Sequence, residues 1–300
     1  MNDFPYLGFG VGLRTVHYPY ILEQIAENRA SALAVQWFEV ISENYMGVGG
    51  RPLYVLDRVR EHFPIVMHGV SLSIGSVDPL SREYLTQLKA LAARVQPAWI
   101  SDHLCWSSTG RHSVHDLLPI PHTEEALRHV VDRITQVQDF LGRRILMENV
   151  SSYLEFTDSM MPEWEFLTRV AQDADCMILL DVNNIYVSAK NHGFDAHTYL
   201  DAIPADRVGQ FHLAGHSNMG THLLDTHDHH IIDEVWALYE RALQRFGNVS
   251  TLIEWDDHIP PFEELLTEVS RAKERYRALE QKLARPGAHA IPALAADHRT

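Results

Sequence analysis

A single (β/α)8 barrel is the fold this sequence predicts, on three observations. Eight short apolar segments alternate with eight longer, helix-like ones along the 300 residues. Several short segments, ILME and MILLDV among them, are apolar at nearly every position, the pattern of strands buried on both faces of a parallel sheet. No G-x-G-x-x-G follows the first short segment, so the phosphate-binding signature of a doubly wound open sheet is missing.

The expected strands are Leu7–Leu13, Trp37–Ile41, Ile65–His68, Trp99–His103, Ile145–Asn149, Met177–Val182, Val208–Leu213 and Thr251–Trp255. The expected helices are Tyr20–Arg29, Leu53–Phe63, Leu80–Val95, Glu124–Leu141, Glu163–Ala174, His197–Ala202, Ile231–Phe246 and Phe262–Leu283. Pro19, Pro52, Pro79 and Pro162 sit at helix starts, where the missing N–H costs nothing. Thr123 is placed to cap Glu124–Leu141, and Gly142 and Gly247 stand where left-handed residues end helices. Residues 1–285 read as one barrel domain. The closing PGAHAIPALAADHRT, 286–300, reads as a loose, disordered tail.

Composition narrows function. Lys and Arg number 25 against 40 Asp and Glu, a formal net charge of −15. Such a surface repels nucleic acid and anionic lipid, and no run of four basic residues overrides it. No apolar stretch is long enough to span a bilayer, and the amino terminus lacks the features of a secretory signal. Two cysteines, Cys105 and Cys176, are too few for a disulfide scaffold and read as buried thiols; a cytoplasmic location fits best. Nineteen histidines are a large supply of neutral nitrogen ligands.

Barrel enzymes carry their chemistry at the carboxyl ends of the strands. Strand 3 ends in His68, strand 4 in Asp102-His103, strand 5 in Glu148-Asn149 and strand 6 in Asp181. Strand 7 carries His212, the loop after it Asp225 and His227, and strand 8 ends in Glu254. One buried carboxylate has an ordinary explanation as a hydrogen-bonded core residue. Four at one mouth do not, because each desolvated charge costs several kcal/mol unless it is neutralised. Glu148, Asp181, Asp225 and Glu254 together balance two divalent cations, and a third would draw on Asp102 or Glu43. The nitrogen and oxygen donors exclude an iron–sulfur cluster and leave zinc, manganese and iron open.

The order His, His, Glu, Asp, His, Asp-x-His, Glu resembles the metal signature of the apurinic-endonuclease/xylose-isomerase superfamily of barrels. One departure stands out: the trinuclear-zinc endonucleases have a second His three residues after the strand-6 Asp, and this chain has Asn184. A closer resemblance covers about residues 7–280. HGVSLSIGS (68–76), SDHLCW (101–106), DLLPIPHTEEAL (116–127), MENVSSYL (147–154), LLDVNNIYVSAKNHG (179–193), FHLAGH (211–216) and DTHD (225–228) are similar to the multinuclear non-heme iron-dependent oxidases. These were long filed as domain of unknown function 692 and include methanobactin maturase.

That resemblance implies two or three iron ions cycling between Fe2+ and Fe3+, with O2 as co-substrate. It implies a Cys-containing, ribosomally made precursor peptide as substrate and a small partner protein that delivers it. Carried over by position, the metal ligands would be His68, His103, Glu148, Asp181, His212, Asp225, His227 and Glu254. Of these, Glu148, Asp181 and Asp225 are the expected catalytic carboxylates, Glu148 as a bridge. Asn149, Asn184 and His216 are weaker ligand candidates, with Asn184 able to offer an amide oxygen in place of the missing imidazole. The alternative is a zinc- or manganese-dependent hydrolase or endonuclease, or a sugar isomerase. Against the nuclease stands the acidic chain, whose lysines are Lys89, Lys190, Lys273 and Lys282. Against the isomerase stands the lack of a strand-end Lys.

Overall fold

The computed structural model describes residues 4–47, 49–110 and 112–283. The apolar segments form strands β1 (Phe9–Gly12), β2 (Trp37–Ile41), β3 (Ile65–Gly69), β4 (Ile100–His103), β5 (Leu146–Glu148), β6 (Met177–Asp181), β7 (Val208–Leu213) and β8 (Ser250–Ile253). Each pairs in parallel with its sequence neighbours, and β8 pairs with β1 to close the barrel. Around it lie helices α1 (Tyr18–Ala26), α2 (Arg51–Arg60), α3 (Arg82–Val95), α4 (Glu124–Leu141), α5 (Glu163–Asp173), α6 (Val182–His192), α7 (Ala196–Ala202), α8 (Asp233–Phe246) and α9 (Phe262–Leu283). The fold is the (β/α)8 barrel expected. The tail expected over 286–300 lies outside the described residues.

The barrel interior is graded along its axis. Trp37, Val66, Trp99, Leu146, Met177, Leu179 and Leu252 form a separate apolar cluster within it. Trp37 and Trp99 meet edge to face, 5.9 Å apart. A Cβ at Gly10 would stand 2.4 Å from the Trp37 ring, so only glycine lets the indole lie against β1. Above this plug the Trp99 indole N–H donates to Gln210, and Gln210 Nε2 donates to Glu39 Oε2 at 2.7 Å. The apolar floor thus passes into a polar layer before the strand ends are reached.

Besides a short antiparallel pair after β7, Ser217–Asn218 with Leu223–Leu224, two features depart from the sequence expectation. After β4 the chain inserts an antiparallel hairpin, Trp106–Thr109 with His112–Leu118. The second departure is at β6, which stops at Asp181; Val182 opens α6, where strand had been expected through Val182 and no helix before His197. Asp181 causes this turn. Its Oδ1 accepts from the Asn184 N–H at 2.6 Å, so one carboxylate ends the strand and caps the helix. Gly193, at φ +76°, ends α6 with its N–H on Ala189.

Among the described residues no helix is long and apolar enough to cross a membrane. Cys105 and Cys176 are both buried and unpaired, and burial pushes both thiols up, so neither offers a thiolate.

A partly buried acid, Glu163, lies away from the strand ends. Glu163 opens α5 and accepts from Tyr199 OH at 3.0 Å; burial raises its carboxyl to about 7. The folded state then holds a proton that the unfolded chain releases at lower pH. Its contribution to stability is full below the ordinary carboxylate range and falls as pH rises through 7. Glu163→Gln should therefore raise the melting temperature by roughly 2–4 °C at pH 8 and leave it unchanged at pH 4, as read by differential scanning calorimetry.

Candidate metal centre

The strand ends bring the expected side chains to one mouth. His68 Nε2 and His103 Nε2 each lie 3.3 Å from Glu148 Oε2. His212 Nδ1 lies 3.5 Å from Glu148 Oε1 and 2.8 Å from Glu254 Oε2. His227 Nδ1 is 3.2 Å from Glu254 Oε2, and its Nε2 is 2.7 Å from Asp225 Oδ1 and 4.0 Å from Asp181 Oδ2. Three sets have ligand atoms close enough to share an ion: His68, His103 and Glu148; Glu148, Asp181, His212 and Glu254; and His227, Glu254 and Asp256. Glu148 belongs to the first two and Glu254 to the last two, so the sets form one continuous centre.

The hydrogen bonds around the imidazoles decide which nitrogen faces inward. His103 Nδ1 is 3.0 Å from the Gly69 carbonyl, which can only accept, so Nδ1 carries the hydrogen and Nε2 presents its lone pair to Glu148. His68 repeats this: Nδ1 donates to Ser101 Oγ at 2.8 Å, and Ser101 Oγ passes its own hydrogen to Met67 O. His212 is turned the other way round. Its Nε2 lies 3.1 Å from Glu39 Oε2, leaving Nδ1 for the centre. Such outer partners hold a ligating imidazole in one tautomer and one orientation.

Glu148 Oε2, Asp181 Oδ2, Asn184 Oδ1, His212 Nδ1 and His227 Nε2 are buried with no hydrogen-bond partner. Buried polar atoms are rarely left so, and here they converge on one space. Lone pairs crowded against carboxylates repel unless a cation lies between them. The residues therefore fit metal ions, with His68, His103, His212 and His227 as nitrogen donors and Glu148, Asp181, Glu254 and the adjacent Asp225 as oxygen donors.

The titration behaviour has the same cause. Burial holds His68 well below its ordinary value, with His103 and His212 adding to the effect, so it stays neutral and able to ligate. Burial lifts Asp181 well above the ordinary carboxylate range. Burial acts downward on His212 and His227 too, but Glu254 with Glu39 beside the one, and Asp225 with Glu254 beside the other, win and raise both. Positive charge is what this space selects, whether as protons on imidazoles or as metal ions.

Asn149 turns away from the centre: its Oδ1 accepts from the Asp181 N–H and its Nδ2 donates to the Asp181 carbonyl. Asn184 donates through Nδ2 to Asn149 O and leaves Oδ1 for the centre. His216 pairs with Asn183 Oδ1 at 2.7 Å, and Asn183 Nδ2 donates to Asp225 Oδ1 at 2.7 Å, so His216 braces a ligand candidate through an amide. Ser151 Oγ donates to the other Asp225 oxygen at 3.0 Å. Asp102 and Glu43 both face Tyr84 OH, and Glu43 also accepts from the Val70 and Ser71 N–H groups, so these two acids build the loop after β3.

Glu39, Gln210, Ser101 and Asp256 escaped the sequence reading. Glu39 had a usable signal: a lone carboxylate inside the apolar strand WFEVI must face the barrel interior. Asp256 is half-exposed and bonded to the Arg14 guanidinium, whose Nε also donates to Trp255 O at 3.2 Å. That pairing makes it a poorer donor than Glu254.

A family model, described as RiPP precursor modification enzyme MbnB/TglH/ChrH, matches residues 8–277. The chain belongs to this family. The enzyme therefore acts on a ribosomally made precursor peptide, and the family implies metal-dependent catalysis. Among its relatives, a UPF0276 protein of Anaeromyxobacter sp. (strain Fw109-5) is 60% identical over 268 residues, covering 89% of this chain and 92% of that one. A UPF0276 protein of Caulobacter vibrioides is 51% identical over 274 residues, covering 91% and 96%. Solved structures share the fold alone. An L-ribulose 3-epimerase superposes with a TM-score of 0.61 at 12% identity, covering 94% of this chain and 99% of that one. Endonuclease IV from Thermus thermophilus gives 0.55 at 16% identity, covering 92% and 100%.

Two outcomes follow from the geometry. Glu39→Gln should weaken metal binding about 10- to 100-fold while the far-ultraviolet circular dichroism stays unchanged, because it alters the bonds from Gln210 and His212 that orient the His212 ring and leaves the strands intact; titration against a chromophoric chelator measures it. Glu148→Ala should lose metal, yet after chelator treatment it should melt above the equally treated parent, because one repelling carboxylate is gone. Equal metal content in Glu148→Ala and the parent would remove Glu148 from the centre.

Proposed function

We propose that this enzyme is a multinuclear non-heme iron oxidase that uses O2 to modify cysteine residues of its precursor peptide. The observation that carries the reading is the set of buried, hydrogen-bond-free oxygen and nitrogen atoms converging between Glu148, Asp181, Asn184, His212 and His227. Mixed carboxylate and imidazole donors suit a metal that works in two oxidation states, and no protein thiolate competes for it. The proposed ligands are His68, His103, Glu148, Asp181, His212, Asp225, His227 and Glu254, with Asn184 Oδ1 a further oxygen donor.

Bound iron would supply a site for the substrate thiolate and the electrons that reduce O2. The chain's own residues do the rest. Glu148 faces His68 and His103 with one oxygen and His212 with the other, which suits a bridging carboxylate. Asp181 and Asp225 lie 4.0 and 2.7 Å from His227 Nε2, Asp225 held by Asn183 and Ser151. A pocket of about 180 Å3 opens onto Asp225, lined also by His68, His103, Asn184, His227 and Glu254. Its size suits a cysteine side chain.

A small partner protein that delivers the peptide, and a cytoplasmic setting that keeps a substrate thiol reduced, complete the proposal. Protein purified without oxygen should carry two or three irons per chain. Adding Cys-containing peptide should give a thiolate-to-iron optical band, and admitting O2 should give peptide products lighter by hydrogen in mass spectrometry. Zinc in place of iron, with no O2-dependent mass change, would defeat the oxidase reading.

A further inference from the structure

Beside the metal mouth lies a second, larger cavity of about 690 Å3. Val150, two residues after Glu148, lines both spaces, and Asn149 lines the larger one. The walls of the larger cavity come from the loop after β5, from the segment before α4 and from the start of α5. They are mainly apolar: Leu104, Ile120, Leu154, Phe156, Met160 and Trp164.

The loop that forms its outer wall holds apolar side chains in water. Leu154 is 54% exposed, Phe156 36% and Met160 76%, and Tyr153 beside them is exposed too. So dense a group on one short loop marks a surface that something covers. The loop is nonetheless pinned at both ends. Ser152 N donates to Ser188 Oγ and Asn191 Nδ2 donates to Ser152 O, tying one end to α6. Met160 N donates to His122 O and His122 N donates to Ser159 Oγ, tying the other to the segment before α4. The cavity is therefore built in advance, as ligand sites are.

We propose that this cavity is a specificity pocket that binds a bulky apolar side chain of the precursor peptide, adjacent in sequence to the residue held at the metal mouth. The proposal rests on the reading that peptide chemistry takes place at that mouth, and it adds which neighbours the enzyme selects. Continuity is the reason for this occupant. The two spaces share the Val150 wall, and successive Cα atoms of a peptide are about 3.8 Å apart, so a residue one or two positions away reaches the second space. The volume exceeds that of one side chain and leaves room for the backbone that carries it. The polar groups present suit a neutral guest. His122 lies tilted against Phe166 and is lowered by burial to about 4, so it is uncharged at neutral pH; the Glu163 carboxyl is already bonded to Tyr199 OH, and Glu155 stands at the exposed rim facing His192.

Two measurements test this. In the first, the full chain carries 13C-methyl methionine, and Met160 and Met161, both on the cavity wall, report by NMR. N-acetyl-phenylalaninamide should shift their methyl signals by ring current, and N-acetyl-alaninamide should not. Phe156→Ala should weaken the response several-fold. Equal responses to both amides, no response at millimolar probe, or an unchanged response in Phe156→Ala would each overturn the proposal, whatever reaction the enzyme performs. In the second, the iron-loaded enzyme meets paired peptides with Phe or Ala next to the cysteine. The Phe peptide should have a kcat/KM about tenfold or more higher, and Met160→Ser with Phe156→Ala should shrink that ratio toward one. Equal kcat/KM for the two peptides would overturn the proposal, whereas turnover of neither, with the methyl shifts present, would fault the oxidase reading and leave the cavity assignment standing.

Discussion

Repulsion among buried carboxylates is the constraint on which this molecule is organised. Glu148, Asp181 and Glu254 lie within a few ångströms of one another, nearly out of reach of water, and Asp225 stands next to them. Negative charges so placed cannot all persist without positive charge among them. The barrel answers by delivering imidazoles between the acids from β3, β4, β7 and the loop after β7. It leaves the remaining lone pairs turned inward, where metal ions would complete the balance.

That arrangement needs a rigid base, and the graded interior provides it. The Trp37–Trp99 plug seals one end, and Trp99, Gln210, Glu39 and His212 form a hydrogen-bonded chain from that plug to the centre. A polar chain inside a barrel is costly unless its members are paired, and these mostly are. Its return is orientation: the ring of His212 is set from below by Glu39, while His68 and His103 are set from the side by Ser101 and the Gly69 carbonyl. Asp181 serves two ends at once, since the oxygen that caps α6 fixes the direction of the other.

The loops then add what a symmetric barrel lacks. The hairpin after β4 departs from the strand–helix alternation, and the loop after β5 reaches the mouth through Val150, Ser151 and Tyr153. The loop after β5 lines both the small polar pocket and the large apolar cavity, which meet at Val150. A fold shared with an epimerase and an endonuclease thus acquires a surface suited to a peptide, consistent with function residing in sites grafted on folds.

Strand–helix alternation and strands apolar on both faces were enough to identify the barrel from residue order, because buried parallel strands leave little choice of composition. The same order marked strand-end residues such as His68, Glu148 and Asp181, since a polar residue closing an apolar run must face the mouth. What the chain's order left open was which atoms meet. Glu39 and His212 are 173 positions apart, and only barrel closure puts their side chains 3.1 Å from each other. Asn149 and Asn184 look alike as strand-end amides, but backbone hydrogen bonding uses both ends of Asn149 and one end of Asn184. Helix α6 was hidden because the strand runs into it without a break, and the residue that separates them does so through a side-chain hydrogen bond. Pattern records which residues are buried; tertiary structure decides whom each buried polar atom must satisfy.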